Sequence, residues 1–166
     1  TGETKNISID EIPEIKINTS WNISFDPVCG GPEKITFNEL SLWNKHQEPG
    51  IRYYSGNATY TNTFNILPDQ LKNKRIYLDL GEMYNLANVY VNGQSAGVWW
   101  QPPFTGDITD LVKEGENHLE FNVVNLWPNR IIGDTYLPEN ERYTKTNVGK
   151  FDKDYPLRPS GLAGPV

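Results

Sequence analysis

Apolar and polar residues alternate with a period of two in several short stretches of this chain, and turn residues separate the stretches. Ile15-x-Ile17 and Trp21-x-Ile23-x-Phe25 predict a half-buried strand from Glu14 to Phe25, ended by Asp26-Pro27 and Gly30-Gly31-Pro32. Between Ala58 and Ile66, Tyr60, Asn62, Phe64 and Ile66 share one face while Thr59, Thr61 and Thr63 share the other. Arg75 to Gly81 reads as a further strand. The run Ala87-Asn88-Val89-Tyr90-Val91 reaches Asn92-Gly93, a pair suited to the positive φ angles of a two-residue hairpin turn. It returns through Gly97-Val98-Trp99-Trp100. Asp107 to Val112 reads as a single helical turn, with Asp107 capping backbone N–H groups. His118 to Val124 is a strand with Leu119, Phe121 and Val123 inward. Leu40-Ser41-Leu42-Trp43 is a short apolar piece, and the tail Ser160 to Val166 resumes apolar character. About six to eight short strands with no amphipathic helix predict an all-β sandwich.

Length sets the domain plan. Residues 1–12 are polar and read as a flexible N-terminal segment, and 13–166 as one domain large enough to bury a core without staples. Residues 128–156 are polar and Pro-bearing, too long for an ordinary connection, which predicts a functional or partly mobile segment. A net charge of -6 with scattered basic residues argues against nucleic acid. No apolar run is long enough to span a bilayer. The single cysteine, Cys29, excludes an internal disulfide framework and a cysteine-based zinc cage, and reads as a small semi-buried hydrophobe. Asn-x-Ser/Thr triplets at Asn6, Asn18, Asn22 and Asn57 carry meaning only for a eukaryotic secretory origin.

The chemistry a sequence can suggest lies in its aromatic and amide residues. Sugar recognition needs a flat ring to stack on C–H faces and planar donors and acceptors for hydroxyls. Adjacent residues of a strand point to opposite faces, so at most one of Trp99 and Trp100 is core and the other is exposed, at an interface or in a loop beside a ligand; Trp100 is favoured as the exposed one. Gln101 follows them. Trp21, Trp43 and Trp127 read as core or loop-plugging rings. Asn129, Arg130 and Asp134 form a second candidate group. Arg130 and Asp134 read first as a bidentate clamp across a loop, and alternatively as a rim turned toward a sugar. Glycosidic hydrolysis needs two carboxyl groups at a set separation. Spacing along the chain shows no such pair, and no elbow motif supports a nucleophile, so no catalytic residue is assigned.

With the strands laid out, the chain resembles the sugar-binding jelly-roll domain of family 2 glycoside hydrolases. Tyr54 to Phe64, Lys74 to Gly81, Ala87 to Gly93, Pro103 to Thr109 and Gly115 to Leu119 carry the likeness, in that order. Val124-Asn125-Leu126-Trp127-Pro128-Asn129-Arg130-Ile131-Ile132-Gly133-Asp134, with Ser160 to Val166, is similar to the C-terminal end of family 106 α-L-rhamnosidase-like enzymes. The resemblance implies a galactose-binding-like jelly roll of two antiparallel sheets, a non-catalytic C-terminal piece of a larger bacterial hydrolase, periplasmic or extracellular. It implies as partners the catalytic domain of the same polypeptide and a plant or host glycan, rhamnose-containing among the options. No organic cofactor is implied. A structural calcium ion is common in such sandwiches, and no ligands are assigned to it. The alternatives are a purely structural interdomain module and, at greater remove, a self-sufficient glycosidase.

Overall fold

The computed structural model describes residues 13–166, so the flexible segment expected over 1–12, with Asn6, lies outside the described residues. Ten strands follow in chain order: β1 (Trp21–Phe25), β2 (Ile35–Phe37), β3 (Asn57–Ile66), β4 (Tyr77–Asp79), β5 (Glu82–Tyr84), β6 (Leu86–Val91), β7 (Gln94–Trp99), β8 (Thr105–Asp107), β9 (Gly115–Val124) and β10 (Gly161–Gly164). Three short helices, α1 (Pro49–Arg52), α2 (Pro68–Leu71) and α3 (Pro128–Asp134), lie between them. One layer is an antiparallel sheet in the order β2-β1-β3-β9-β6-β7. Its spine is the β3–β9 pair, in register from Asn57 opposite Val124 to Ile66 opposite Gly115.

The facing layer is divided into two two-stranded pieces, β10-β5 and β4-β8, rather than one continuous sheet. Gly81 sits at the division between β4 and β5. Its φ is +61°, and a Cβ there would lie 2.5 Å from the Gly164 carbonyl, so the chain turns sharply where only glycine fits. Leu78, Leu80, Met83 and Leu162 of this layer meet Trp21, Ile23, Tyr60, Val89 and Phe121 of the other in one core. The alternation in each strand is the cause. Trp21, Ile23 and Phe25 face inward on β1, as do Ala87, Val89 and Val91 on β6 and Leu119, Phe121 and Val123 on β9. The fold is the all-β sandwich expected from the pattern.

Three expectations change in detail. The strand expected from Glu14 spans only Trp21–Phe25, because the β2 and β3 ladders begin there and Ile17 bonds instead to Val166. Asp107 to Val112 forms a hydrogen-bonded turn, not a helix. Asp107 ends β8, and its carboxylate accepts from the Thr109 amide and hydroxyl, closing an Asx-type turn. That bonding, with Arg75 nearby, holds the Asp107 carboxyl below its usual range. The 128–156 segment opens with a buried helix, α3, although no helix was predicted. Asn92-Gly93 makes the expected turn, with φ of 52° and 77°, and Asn92 also bonds to Leu111, Asn117 and His118. Among the described residues no helix is long and apolar enough to cross a membrane.

Two buried tyrosines set an alkaline limit. The Tyr54 hydroxyl donates to the Asn57 carbonyl at 2.7 Å, and burial pushes its pKa up to about 12. Burial pushes Tyr60 up as well, beside the Trp43 indole N–H that donates to it. An unfolded tyrosine loses its proton near pH ~10. Above that pH the folded chain holds more protons than the unfolded one, so stability falls as pH rises. The thermal midpoint is expected to stay level through neutrality and to drop from about pH 10 toward about pH 12. Calorimetry across that range checks it, and a level midpoint would contradict the tyrosine account.

Candidate functional site

One end of the six-stranded sheet gathers exposed aromatic residues. Trp99 of β7 pairs with Ala87 of β6, and Ala87 pairs with Val123 of β9, so Trp100 and Leu126-Trp127 leave the sheet at the same end. Trp99 points inward: its ring occupies the space a Cβ on Gly106 would fill, and its indole N–H donates to the Ala96 carbonyl. Trp100, on the opposite face, is 67% exposed, in keeping with strand alternation. Gln101 is exposed beyond it. Trp127 is 77% exposed, not the loop-plugging ring the sequence suggested. It stands at the entry to α3, where its backbone carbonyl accepts from Arg130 and Ile131 while its ring is left outside. Trp21 and Trp43 are fully buried, as expected.

Asn129, Arg130 and Asp134 lie inside the domain. All six residues from Asn129 to Asp134 are buried. The Arg130 Nε donates to Asp134 at 3.0 Å, and its guanidinium lies over the Tyr143 ring at 4.7 Å and near the Tyr53 ring at 6.0 Å. Asp134 also accepts from the Tyr143 amide and from the amide and hydroxyl of Thr144. Gly133 makes this possible, since a Cβ there would lie 2.4 Å from the guanidinium and 2.5 Å from Tyr53. The Asn129 side chain pairs with the backbone of Arg158 through both its oxygen and its nitrogen, at 2.8 Å each, much as a strand neighbour would. These three residues therefore tie the segment after β9 to the chain before β10. The structure brings them together, but not with Trp99, Trp100 or Gln101 at a common surface pocket.

Two groups of residues were missed by sequence reasoning. Asn125 is a buried node, donating to the Tyr54 carbonyl and accepting from Asn85 and the Leu126 amide. Its bonds place Leu126 and Trp127. No local signal marks it, because its partners lie up to 71 residues away. The second group is the outward row of β6, Leu86, Asn88 and Tyr90, half-buried opposite the core-facing Ala87, Val89 and Val91. The alternation that turns Ala87, Val89 and Val91 inward also turns these three outward. Among the described residues no cluster of His, Cys, Asp and Glu is arranged to hold a metal ion.

Two facing layers of antiparallel strands around one core place the chain among the all-β sandwich domains. The chain belongs to the sugar-binding domain family of the family 2 glycosyl hydrolases, whose model matches residues 6–148. It is 35% identical to a protein of Formosa agariphila named as a candidate beta-glucuronidase, aligned over 100% of this chain and 16% of that protein. It is 31% identical to a beta-galactosidase of Clostridium acetobutylicum over 73% of this chain and 15% of that one. The solved rhamnosidase of Novosphingobium sp. PP1Y superposes over 98% of this chain and 15% of its own, with a TM-score of 0.87 at 35% identity. The chain thus spans about a sixth of the length of these relatives.

Proposed function

We propose that this chain is a non-catalytic module of a larger, α-L-rhamnosidase-like glycoside hydrolase, where it supports the catalytic domain and recognises carbohydrate. The carrying observation is the pair of exposed indoles, Trp100 and Trp127, at one end of the six-stranded sheet. Exposed tryptophan is uncommon on a monomer surface and offers the flat apolar face on which a pyranose C–H face stacks. The resemblance to the rhamnosidase over nearly the whole chain supports the parent class. In this reading the module closes the C-terminal end of an exported bacterial enzyme. A long upstream reading frame in the encoding gene is the observation that tests that placement.

Trp100→Ala is expected to weaken glycan binding about tenfold, through loss of ring contact alone, with the thermal midpoint little changed. Calorimetric titration with rhamnose-, galactose- and glucuronate-containing oligosaccharides measures it. No binding to any of them would sink carbohydrate recognition. A second reading has its own support. Val98 and Leu126 are 55% and 49% exposed near the two indoles, which widens the apolar patch beyond one sugar ring and suits a neighbouring domain. A separately expressed catalytic domain that binds the wild-type chain but not Trp127→Ala would favour this interface.

A further inference from the structure

The outward face of the six-stranded sheet carries a cross-strand row that no part of the aromatic end explains. Strand register sets Val98, Asn88, Asn122, Thr59 and Ser24 side by side on β7, β6, β9, β3 and β1. The row next to it toward the sheet end holds Leu86, Val124 and Asn57, and Trp100 follows the last β7 pair, Trp99 opposite Ala87. Every residue in these two rows is uncharged. Within the row, Thr59 donates to the Asn122 side-chain oxygen at 2.7 Å and the Asn122 amide donates to Glu120 at 3.1 Å, so those groups are held in place. Asn88 differs. Among the described residues its side-chain amide has no hydrogen-bond partner, and neither does the Tyr90 hydroxyl one outward position further along β6. Both are half-buried in a fixed ladder. The Asn88 amide, with two donors and an acceptor, stands on a laddered strand between Val98 and Asn122 and is open to paired hydrogen bonds with a vicinal diol.

Charge selects among sugars. The row beyond Asn88 runs Tyr90, Glu120, Thr61 and Asn22, and Asp26 follows the last β1 pair at the other side, so the charges that border this face are carboxylates. The chain as a whole carries -6. A further carboxylate brought onto this face would be repelled and unpaired. We infer that the outward face around Asn88, with Trp100 as its stacking wall, is a binding site for neutral hexose or 6-deoxyhexose residues and discriminates against uronic acids. This rests on the carbohydrate-recognition reading above and gives it a location and a ligand class.

Titration of the isotope-labelled chain by two-dimensional amide NMR tests it, with methyl α-L-rhamnoside, methyl β-D-galactoside and methyl β-D-glucuronide as probes. The neutral glycosides are expected to move the Asn88 side-chain amide and Trp100 indole signals. The glucuronide is expected to bind about three- to tenfold more weakly. Asn88→Ala should weaken the neutral glycosides about three- to tenfold, with a thermal midpoint near that of the parent chain to show that it folds. Shifts confined to the Trp127 end, with Asn88 silent, overturn the proposed face and leave carbohydrate recognition standing. A glucuronide that binds as tightly as the neutral sugars overturns the ligand class. No shift with any of the three probes overturns both the face and the reading on which it rests.

Discussion

Asp134→Ala is expected to destabilise the domain by about 3–5 kcal/mol, the cost of leaving one member of a buried ion pair without its partner. The carboxylate is 3% exposed and receives Arg130 Nε, two backbone amides and the Thr144 hydroxyl. Removing it strands the Arg130 guanidinium, itself 5% exposed, between the Tyr53 and Tyr143 rings. It also frees the Tyr143 and Thr144 amides in a part-buried setting, each a further desolvation cost. The pair as a whole is a different matter from its single members. Replacing both at once, Arg130→Met with Asp134→Leu, should recover part of the loss, because two desolvated charges disappear together. Urea denaturation of the two single variants and the double variant forms a cycle that measures the coupling. A loss below about 1 kcal/mol for Asp134→Ala would mean that the segment after β9 is held by Asn129 and the helix packing alone. The same change is expected to raise amide hydrogen exchange at Tyr143 and Thr144 before anywhere in the sheet.

Trp43→Ala should cost a similar amount, about 3–5 kcal/mol, for a different reason. Trp43 is wholly buried in a single 3-10 turn, Trp43–Lys45, that plugs one side of the sandwich. Its ring meets Phe25 and Tyr54 edge-on at 5.4 and 5.6 Å and stacks on Tyr60 at 6.5 Å. Gly161 of β10 lies against it so closely that a Cβ there would sit 2.6 Å from the indole. Truncation therefore opens a cavity walled by rigid rings and a strand, which can collapse only partly. Trp43→Phe separates the two contributions. It keeps most of the apolar volume but withdraws the N–H from the Tyr60 hydroxyl, an oxygen with no access to water, and is expected to cost about 1–3 kcal/mol. Thermal and chemical denaturation of both variants checks the ordering. A Phe variant as destabilised as the Ala variant would place the cost in the hydrogen bond rather than in the cavity.

Much of the sandwich was legible in the sequence because strand alternation is local. Trp21, Ile23 and Phe25, then Val89 and Val91, then Leu119, Phe121 and Val123, each declare an inner face within five or six residues. Asn92-Gly93 declares its own turn. The same rule separated Trp99 from Trp100, since neighbours on a strand cannot share a face. It says nothing of Trp127, which lies in no strand. That ring is outside because Asn125, bonded to Tyr54 and Asn85, holds the chain before it, and the Ser55 hydroxyl donates to the Leu126 carbonyl and accepts from the Arg130 amide on either side of it. The helix α3 escaped detection because its seven residues are mixed in polarity and Pro-led, and its burial of Arg130 and Asp134 requires Tyr53, Tyr143 and Thr144 from elsewhere.

The sequence by itself determined the class of fold, the family likeness and which faces of β1, β6 and β9 turn inward, all consequences of a two-residue period and local turn chemistry. Only the tertiary structure decided that the facing layer splits at Gly81, that Trp127 stands outside, and that Asn129, Arg130 and Asp134 form an internal tie. It alone set Asn88 beside Asn122, and Asn122 beside Thr59. The physical reason is that burial of polar groups, and the register that aligns distant strands, depend on partners tens of residues apart, which no local periodicity encodes.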